Sequence, residues 1–531
     1  MKAINSNIWK RILFLALGFT ALASCSEDAM DRVNEDNDHT TSAPAKFVLA
    51  DVITSTAFSN IGGDLNTYFS VYTEHTVGVD NQLYNAEIRN GEPSVASTFN
   101  NVWENLYSTL KNARIVILTA SDEVAANYTT RGIAEVLTAI NRARTDAFGD
   151  TPYSQAALPQ LKDGKPQYMA PNVDTQEAIY QAIMKSLDDA IVDLPKGDAK
   201  DKVGSYDFIY KGDGAKWIKL AYGLKARYTM RLLARSKNRE ADLQKVLEYV
   251  DKSFKSIDDQ AAYAIYDANN LNPLFGFQWS RDGLAASKSY SDKLIERKDP
   301  RLRRFFCIGQ DHLPKGSKRV TIQIKGADDP AFLMAENGTA TSIKYHYNSL
   351  IFFYAQVCPT MLMSYHELLF LKAEALARLN KTAEAEAALK EAVVAAIANA
   401  EMGLKGAFKA PTVAGYGGIE ETTEAITEKE AEEYFDKNVK PLFTANPLRE
   451  VMIQKYLAML GAFGESTECY NDIRRMKALK EDFVKLSNPK PFPLRAPYGD
   501  SDVLANPKVK EAYGNGQYVY SDPVWWAGGN R

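Results

Sequence analysis

The chain has 531 residues, 45% of them hydrophobic and 24% charged, which is the balance of a soluble globular protein. That excludes a disordered, collagen-like or polytopic membrane polypeptide; a length of roughly three to four domain units still admits one continuous helical array. A net charge of −4 leaves no basic footprint for nucleic acid, and five histidines argue against a histidine-rich metal site.

Lys2, Lys10 and Arg11 precede an apolar stretch from Ile12 to Ala23. It is shorter than the about 20 residues needed to cross a bilayer, so residues 1–24 read as a signal peptide. Leu22-Ala23-Ser24 then runs into Cys25. A plain secretory signal needs no such cysteine, whereas a bacterial lipoprotein does, because the thiol of its new first residue takes the lipid. Cys25 is therefore the expected lipidation site, and several acyl chains there would give a stable anchor in the outer membrane. Ser26-Glu27-Asp28, Asp31, Glu35, Asp36 and Asp38 make residues 25–43 an acidic tether. Cys307, Cys358 and Cys469 are odd in number and lack CxxC spacing, so they read as buried free thiols.

Helical periodicity dominates the body, residues 44–531. Phe47–Ile61 predicts a helix after Pro44. Phe99–Leu118 carries Val102, Leu106, Leu110, Ala113 and Ile117 on one stripe, and Ile133–Phe148 carries Val136, Leu137, Ile140 and Ala147. The second of these stops at Gly149, with Pro152 beyond it, which is helix-ending chemistry. Thr175–Leu194, Trp217–Leu233 and Leu243–Phe254 predict three more. Residues 258–358 carry no long helical stripe. They predict long connections with a short helix at Ser289–Glu296 and a strand over Val320–Lys325. Met361–Leu379 and Ala383–Ala398 are joined by only Asn380-Lys381-Thr382, so they must lie antiparallel, and their alanines permit close approach. Helices follow at Glu428–Asp436, Leu448–Leu460 and Glu465–Met476. Residues 477–531 predict an extended covering tail. The fold class is thus predominantly all-α: a tetratricopeptide-like solenoid of helical pairs over about 44–257 and 359–476, with a loop-rich insert containing short β-strands.

Several stretches carry a family resemblance. They include Asp80-Asn81-Gln82-Leu83-Tyr84-Asn85 with Phe99-Asn100-Asn101-Val102-Trp103, and Ala147-Phe148-Gly149-Asp150-Thr151-Pro152-Tyr153-Ser154. Asp207–Gly214 with Lys216-Trp217 and Leu224-Lys225-Ala226-Arg227 follow, then Asp299-Pro300-Arg301-Leu302 and Glu367–Glu374. Gln454-Lys455-Tyr456 and Tyr470-Asn471-Asp472-Ile473-Arg474-Arg475 complete the series. In this order they resemble the SusD/RagB family of nutrient-binding outer-membrane lipoproteins, in its SusD-like branch. The resemblance implies a helical body on tetratricopeptide pairs, with loops forming a shallow ligand site. It implies a surface-exposed protein that is not an enzyme, sits over a SusC-like TonB-dependent transporter, and binds an oligosaccharide or, in some branches, a peptide. The acids after Cys25 resemble the export tag of surface lipoproteins of Bacteroidota.

Sugars present apolar C–H faces and many hydroxyls, so a capture site needs rings beside amide, carboxylate and guanidinium groups. Two segments offer them. One is Asp80, Asn81 and Tyr84, with Tyr72 nearby in sequence. The other is Trp279, Arg281 and Asp282 in the loop-rich middle. Each segment reads equally as turn or packing structure. Arg227 with Arg231, and Arg474-Arg475 near Asp472, read as salt-bridged helix faces. Trp525-Trp526 reads as a pair that packs down the tail. No GxSxG, HExxH, Walker loop or strand-following GxGxxG occurs, so no catalytic residue, metal or cofactor is expected. A tetratricopeptide-type surface adaptor for peptides or proteins is the second reading, and a glycan-degrading enzyme the third.

The anchor has a direct test. Cys25→Ala is expected to shift the protein from the detergent-extracted membrane fraction to the soluble fraction; retention of the variant in the membrane would remove the lipid assignment.

Overall fold

The computed structural model describes residues 43–91, 99–162, 165–313, 319–322, 324, 326–408 and 419–531. The signal peptide, Cys25 and almost all of the acidic tether lie outside the described residues, and Ala45–Arg531 forms one compact unit. Its helices in chain order are α1 Ala45–Ser55, α2 Asp64–Tyr72, α3 Asn81–Ile88, α4 Asn100–Thr119, α5 Tyr128–Ala143 and α6 Gln176–Asp193. There follow α7 Gly214–Arg231, α8 Arg239–Asp251, α9 Pro273–Arg281, α10 Lys288–Glu296, α11 Tyr365–Arg378 and α12 Thr382–Phe408. The last are α13 Glu428–Tyr434, α14 Lys440–Ala445, α15 Pro447–Ala458, α16 Ser466–Ala478, α17 Asp500–Ala505 and α18 Pro507–Tyr513. None is long and apolar enough to cross a membrane among the described residues.

The fold is the mostly helical, tetratricopeptide-like one that the periodicity predicts. Consecutive helices α5 and α6, α7 and α8, and α11 and α12 pack as pairs. Their starts are fixed by side-chain caps: the Thr175 hydroxyl accepts from the Ala178 amide at 3.3 Å, and the Asp213 carboxylate accepts from Ala215 and Lys216 at 3.0 and 3.2 Å. Between α11 and α12, Asn380 adopts a left-handed φ of 57°, which turns the chain back within three residues. Ala373, Ala385, Ala388 and Ala392 are buried in that hairpin, so the two backbones approach closely. Gly149 ends the segment after α5 at φ 90°; a Cβ there would lie 2.9 Å from the Arg531 carbonyl oxygen.

Several boundaries differ from the sequence reading. Thr360–Met363 is a buried strand paired antiparallel with Ala261–Tyr263, and α11 starts only after it, at the Ser364 cap. A short apolar run buried on both faces carries no period that separates strand from helix. The predicted strand at Val320–Lys325 is shorter: Arg319–Val320 pairs in parallel with Ile419–Glu420, a single bridge joins Thr321 to Cys307, and residues 323 and 325 lie outside the described residues. The tail is not wholly extended, because α17 and α18 interrupt it. The loop-rich middle contains α9, capped by Asn272 with Pro273 as its first residue. The three cysteines are buried and free, as expected.

Charge is buried on a large scale, and α16 is its hub. Glu468 receives Arg144 at 3.2 Å, Arg227 at 3.9 Å and a short contact from Arg231, which also reaches Asp146. Arg475 pairs with Glu374 of α11 at 2.5 Å and with Asp472 at 2.9 Å, and Lys455 of α15 reaches Asp472 at 2.6 Å. Arg474 lies over the rings of Tyr470 and Trp526 at 4.3 and 4.7 Å, which places Trp526 in the core as expected. The arginine pairs read from the sequence as salt-bridged faces are therefore interior joints between helices distant in sequence.

Burial alone would raise the Glu374 carboxyl, but Arg475 and Arg378 outweigh it and hold the group below the ordinary carboxylate range. Glu468 behaves the same way under Arg231, Arg227 and Arg144. A depressed folded-state pKa stabilises above the unfolded value and is lost as pH falls through the folded one, so this interior is acid-labile. Arg475→Met removes the guanidinium that joins Glu374 to Asp472 and leaves each buried acid with one cation, Arg378 and Lys455 respectively. It is expected to cost about 3–5 kcal/mol and to lower the denaturant midpoint at neutral pH, while Lys185→Ala in the exposed Lys185–Asp189 pair leaves that midpoint in place.

Candidate ligand site

One antiparallel strand pair builds the site. Thr76–Gly78 pairs with Leu284–Ala286, and the Val79 amide donates to the Gly283 carbonyl at 2.9 Å. Two segments about two hundred positions apart are thereby held edge to edge: Asp80–Asn85 and Arg281–Gly283. The strands rest on a small core of Val77, Val79, Ala285, Ala335 and Ala340. Gly78 is required at the crossing, because a Cβ there would lie 1.9 Å from the Leu83 carbonyl oxygen where α3 folds back onto the strand.

Local chemistry aims the side chains on both sides. Asn272 caps α9 through the Leu274 amide at 2.9 Å, and its own amide donates to the Cys358 and Ala462 carbonyls at 2.8 and 2.9 Å. Leu274, Phe275 and Gln278 face inward, and the Gln278 amide group exchanges hydrogen bonds with the Leu284 backbone at 3.2 Å. Trp279, one turn after Phe275, faces outward. It is 41% exposed, and its ring stacks on Phe275 at 6.1 Å with an interplanar angle of 23°. Asp282 closes the helix in the left-handed conformation, φ 51°, a geometry that Asp tolerates better than most residues. On the other side, Asp80 precedes α3 and Asn81 is exposed at φ 48°, while Tyr84 is half-buried.

A third segment joins them. The Lys344 ammonium lies 3.0 Å from the Asp80 carboxylate. That hydrogen bond holds the lysine above its ordinary pKa range against slight desolvation, and Asp80, Tyr345 and Asp282 add to the field. Asp80 is thus the direct partner of this cation. Ile343 and Tyr345 beside it are 43% and 38% exposed. The Ser342 hydroxyl donates to the Val79 carbonyl at 3.1 Å, and the Thr341 amide donates to the Tyr347 hydroxyl at 3.0 Å, fixing this loop on the strand pair.

A polar cleft of ≈ 500 Å³ opens beside α9, with Arg281 and Gln82 on its rim and Asp64, Asn101 and Phe58 in its wall. Burial raises the Asp64 carboxyl, while Asn101 and Arg281 oppose the shift. The strand pair thus brings the Asp80, Asn81 and Tyr84 segment alongside Arg281 and Asp282, with Lys344 paired to Asp80; Trp279 is exposed on α9 two residues before Arg281 and does not line the cleft. The fold does not bring Tyr72 there: that ring is 2% exposed and packs among Phe69 and Tyr470, because α2 turns this side toward the core. Sequence reasoning missed Lys344, Tyr345, Phe58, Asp64 and Asn101. The only signal for the first two was rings and a cation in a stretch with no period. Among the described residues no group of three or more His, Cys, Asp or Glu could hold a metal. What the surface offers is a ring beside amides and balanced charges, a chemistry of stacking and hydroxyl capture.

Residues 31–498 match the SusD-like profile described as starch-binding and associating with the outer membrane. This chain belongs to the SusD-like family. A crystal structure of a SusD/RagB family protein from Bacteroides thetaiotaomicron is similar at 54% identity and TM-score 0.85, covering 92% of this chain and all of that one, 100%. A SusD homologue from Bacteroides fragilis shares the fold at 20% identity and TM-score 0.68, with 92% and 100% of the chains covered. A chitin-binding protein shares it at 20% identity and TM-score 0.66, with 90% and 99% covered. No curated protein matches the chain.

A buried acid lies beside the strand pair of this SusD-like chain. Glu87 of α3 is 1% exposed and accepts from the Gly338 amide at 2.6 Å and the Gly78 amide at 3.4 Å. Burial pushes its carboxyl up to about 7, against those amides and Arg89. A carboxyl raised in the folded state binds its proton more tightly there than in the unfolded chain. Stability therefore falls as pH rises between the unfolded value, about 4.5, and about 7. Glu87→Gln is expected to flatten the stability profile across that window by up to roughly 2–3 kcal/mol, read by denaturant titration at stepped pH.

Proposed function

We propose that this SusD-like protein is a surface-exposed lipoprotein, anchored through Cys25, that captures an oligosaccharide and delivers it to a SusC-like TonB-dependent transporter. The observation that carries the reading is an exposed Trp279, stacked on Phe275, on the helix that ends in Arg281 and Asp282, which the strand pair sets alongside the Asp80 and Asn81 segment with Lys344 on Asp80. A flat ring 41% open to solvent suits the apolar face of a sugar, and the surrounding amides and charges suit its hydroxyls. Family membership supports the same reading, since the family is described as starch-binding and a structural neighbour as chitin-binding. Binding is passive: the ring and its polar neighbours hold the sugar without breaking a bond, and the energy for import comes from the transporter. Charges of both signs around an exposed ring favour the sugar over the peptide reading.

The test is calorimetry of the purified chain against a glycan panel and a peptide panel. A glycan is expected to bind, and Trp279→Ala to weaken it about tenfold with no change in melting temperature, as the loss of one exposed stacking ring requires. Binding of peptides alone, or turnover of the bound glycan, would overturn the proposal. Recovery of a large β-barrel protein with the full-length lipoprotein from membranes tests the delivery step.

A further inference from the structure

The polar cleft at the candidate site does not end there. Its floor is the exposed face of α4, where Asn101, Glu104 and Asn105 line it. A second cleft of ≈ 620 Å³ begins at the same Glu104 and continues over Ser108 and Lys111 of that helix. Asn101, Glu104, Asn105, Ser108 and Lys111 all point to solvent, and their three- and four-residue spacing puts them on one helical stripe. At 1.5 Å per residue, Asn101 to Lys111 spans about 15 Å. The far wall of the second cleft carries Tyr168, 40% exposed, with Gln155 and Gln167 beside it.

That wall is built rather than loose. The Asn506 amide donates to the Pro171 carbonyl at 2.9 Å, and Lys508 donates to the Ala170 carbonyl at 2.9 Å, so α18 of the tail holds the segment bearing Tyr168. Below it, the Trp103 indole N–H donates to Asp502 at 3.0 Å, tying α17 to α4. A ring thus stands at each end of the pair of clefts, Phe58 at one end and Tyr168 at the other, and the Tyr168 end also has apolar walls from Leu158, Pro159 and Pro166.

We propose that the nutrient is a long, linear oligosaccharide that lies along α4 from Arg281 past Glu104, with a second sugar subsite at Tyr168. This rests on the oligosaccharide reading of the Trp279 face and adds the length and shape of the ligand. A branched or short glycan would fill the Trp279 face alone and leave Tyr168 unused. Two clefts that share Glu104, with polar side chains of α4 along the floor, a ring at each far end and apolar walls at the Tyr168 end, fit a chain whose residues alternate stacking faces with hydroxyl edges.

The experiment is calorimetry of the purified chain with linear oligomers of chitin, starch and cellulose, from dimer to octamer. For the polymer that binds, affinity is expected to keep rising with length. Tyr168→Ala should weaken the longest oligomers roughly tenfold and leave dimers unchanged, while Trp279→Ala weakens both. If Tyr168→Ala leaves the octamer affinity unchanged while Trp279→Ala weakens it, the two-cleft path is wrong and the capture site stands. A flat length profile, or an equal effect of Tyr168→Ala on dimer and octamer, overturns the two-cleft path as well. If no oligomer of the three polymers binds, or binding ignores Trp279→Ala, both readings fall together. Lys111→Ala provides a second variant at the far end, with the same length-dependent loss expected.

Discussion

Glu468 cannot be buried as a carboxylate unless cations follow it inside. A lone ionised group in a protein interior carries a penalty of several kcal/mol, and only excellent geometry offsets it. Here Arg144, Arg227 and Arg231 converge on it from the turn after α5 and from α7, and the same helix sends Arg475 to Glu374 on α11. These charges are satisfied together only when α16 meets all three helical pairs, at the end of α5, on α7 and on α11. The requirement therefore acts as a register pin. Hydrophobic burial supplies most of the stability, and the ion pairs select the one arrangement in which no charge is stranded.

That pin reaches the ligand face through α2. Tyr470 of α16 stacks on Phe69 of α2 at 4.1 Å, and the Tyr456 hydroxyl donates to the Thr73 carbonyl just beyond it at 2.9 Å. Three residues later begins the strand that pairs with Leu284–Ala286 and brings the Asp80 segment alongside the end of α9. The exposed face is thus the rim of a rigid body, not an independent loop cluster. A shallow site benefits from such support, because a ligand that buries little of itself cannot also bear the entropy of ordering its receptor. The tail serves the same end from the opposite side by bracing the segment that carries Tyr168.

Interior and rim divide the polar residues by task. Interior arginines such as Arg301, with its partner Asp299 at 2.9 Å, spend their donors on the fold. At the rim, Arg281 is exposed and the Lys344–Asp80 pair is partly open to water. Groups already committed inside cannot greet a ligand, whereas those at the rim exchange water for hydroxyls at small cost.

The sequence by itself determined the helical pairs, their caps, the Gly149 stop and the free buried thiols, because period, capping chemistry and glycine conformation are local. It also offered Trp279, Arg281, Asp282, Asp80, Asn81 and Tyr84 as candidates by residue chemistry alone. That these two segments meet, that Lys344 pairs with Asp80 and that Tyr72 belongs to the core emerged only in the tertiary structure. A strand pair between Thr76–Gly78 and Leu284–Ala286 leaves no trace in either segment read alone. The buried strand at Thr360–Met363 was illegible for a related reason, since a run apolar on every side has no period to read. Contacts between distant segments depend on which surfaces the rest of the chain leaves available, and that is a property of the packed whole.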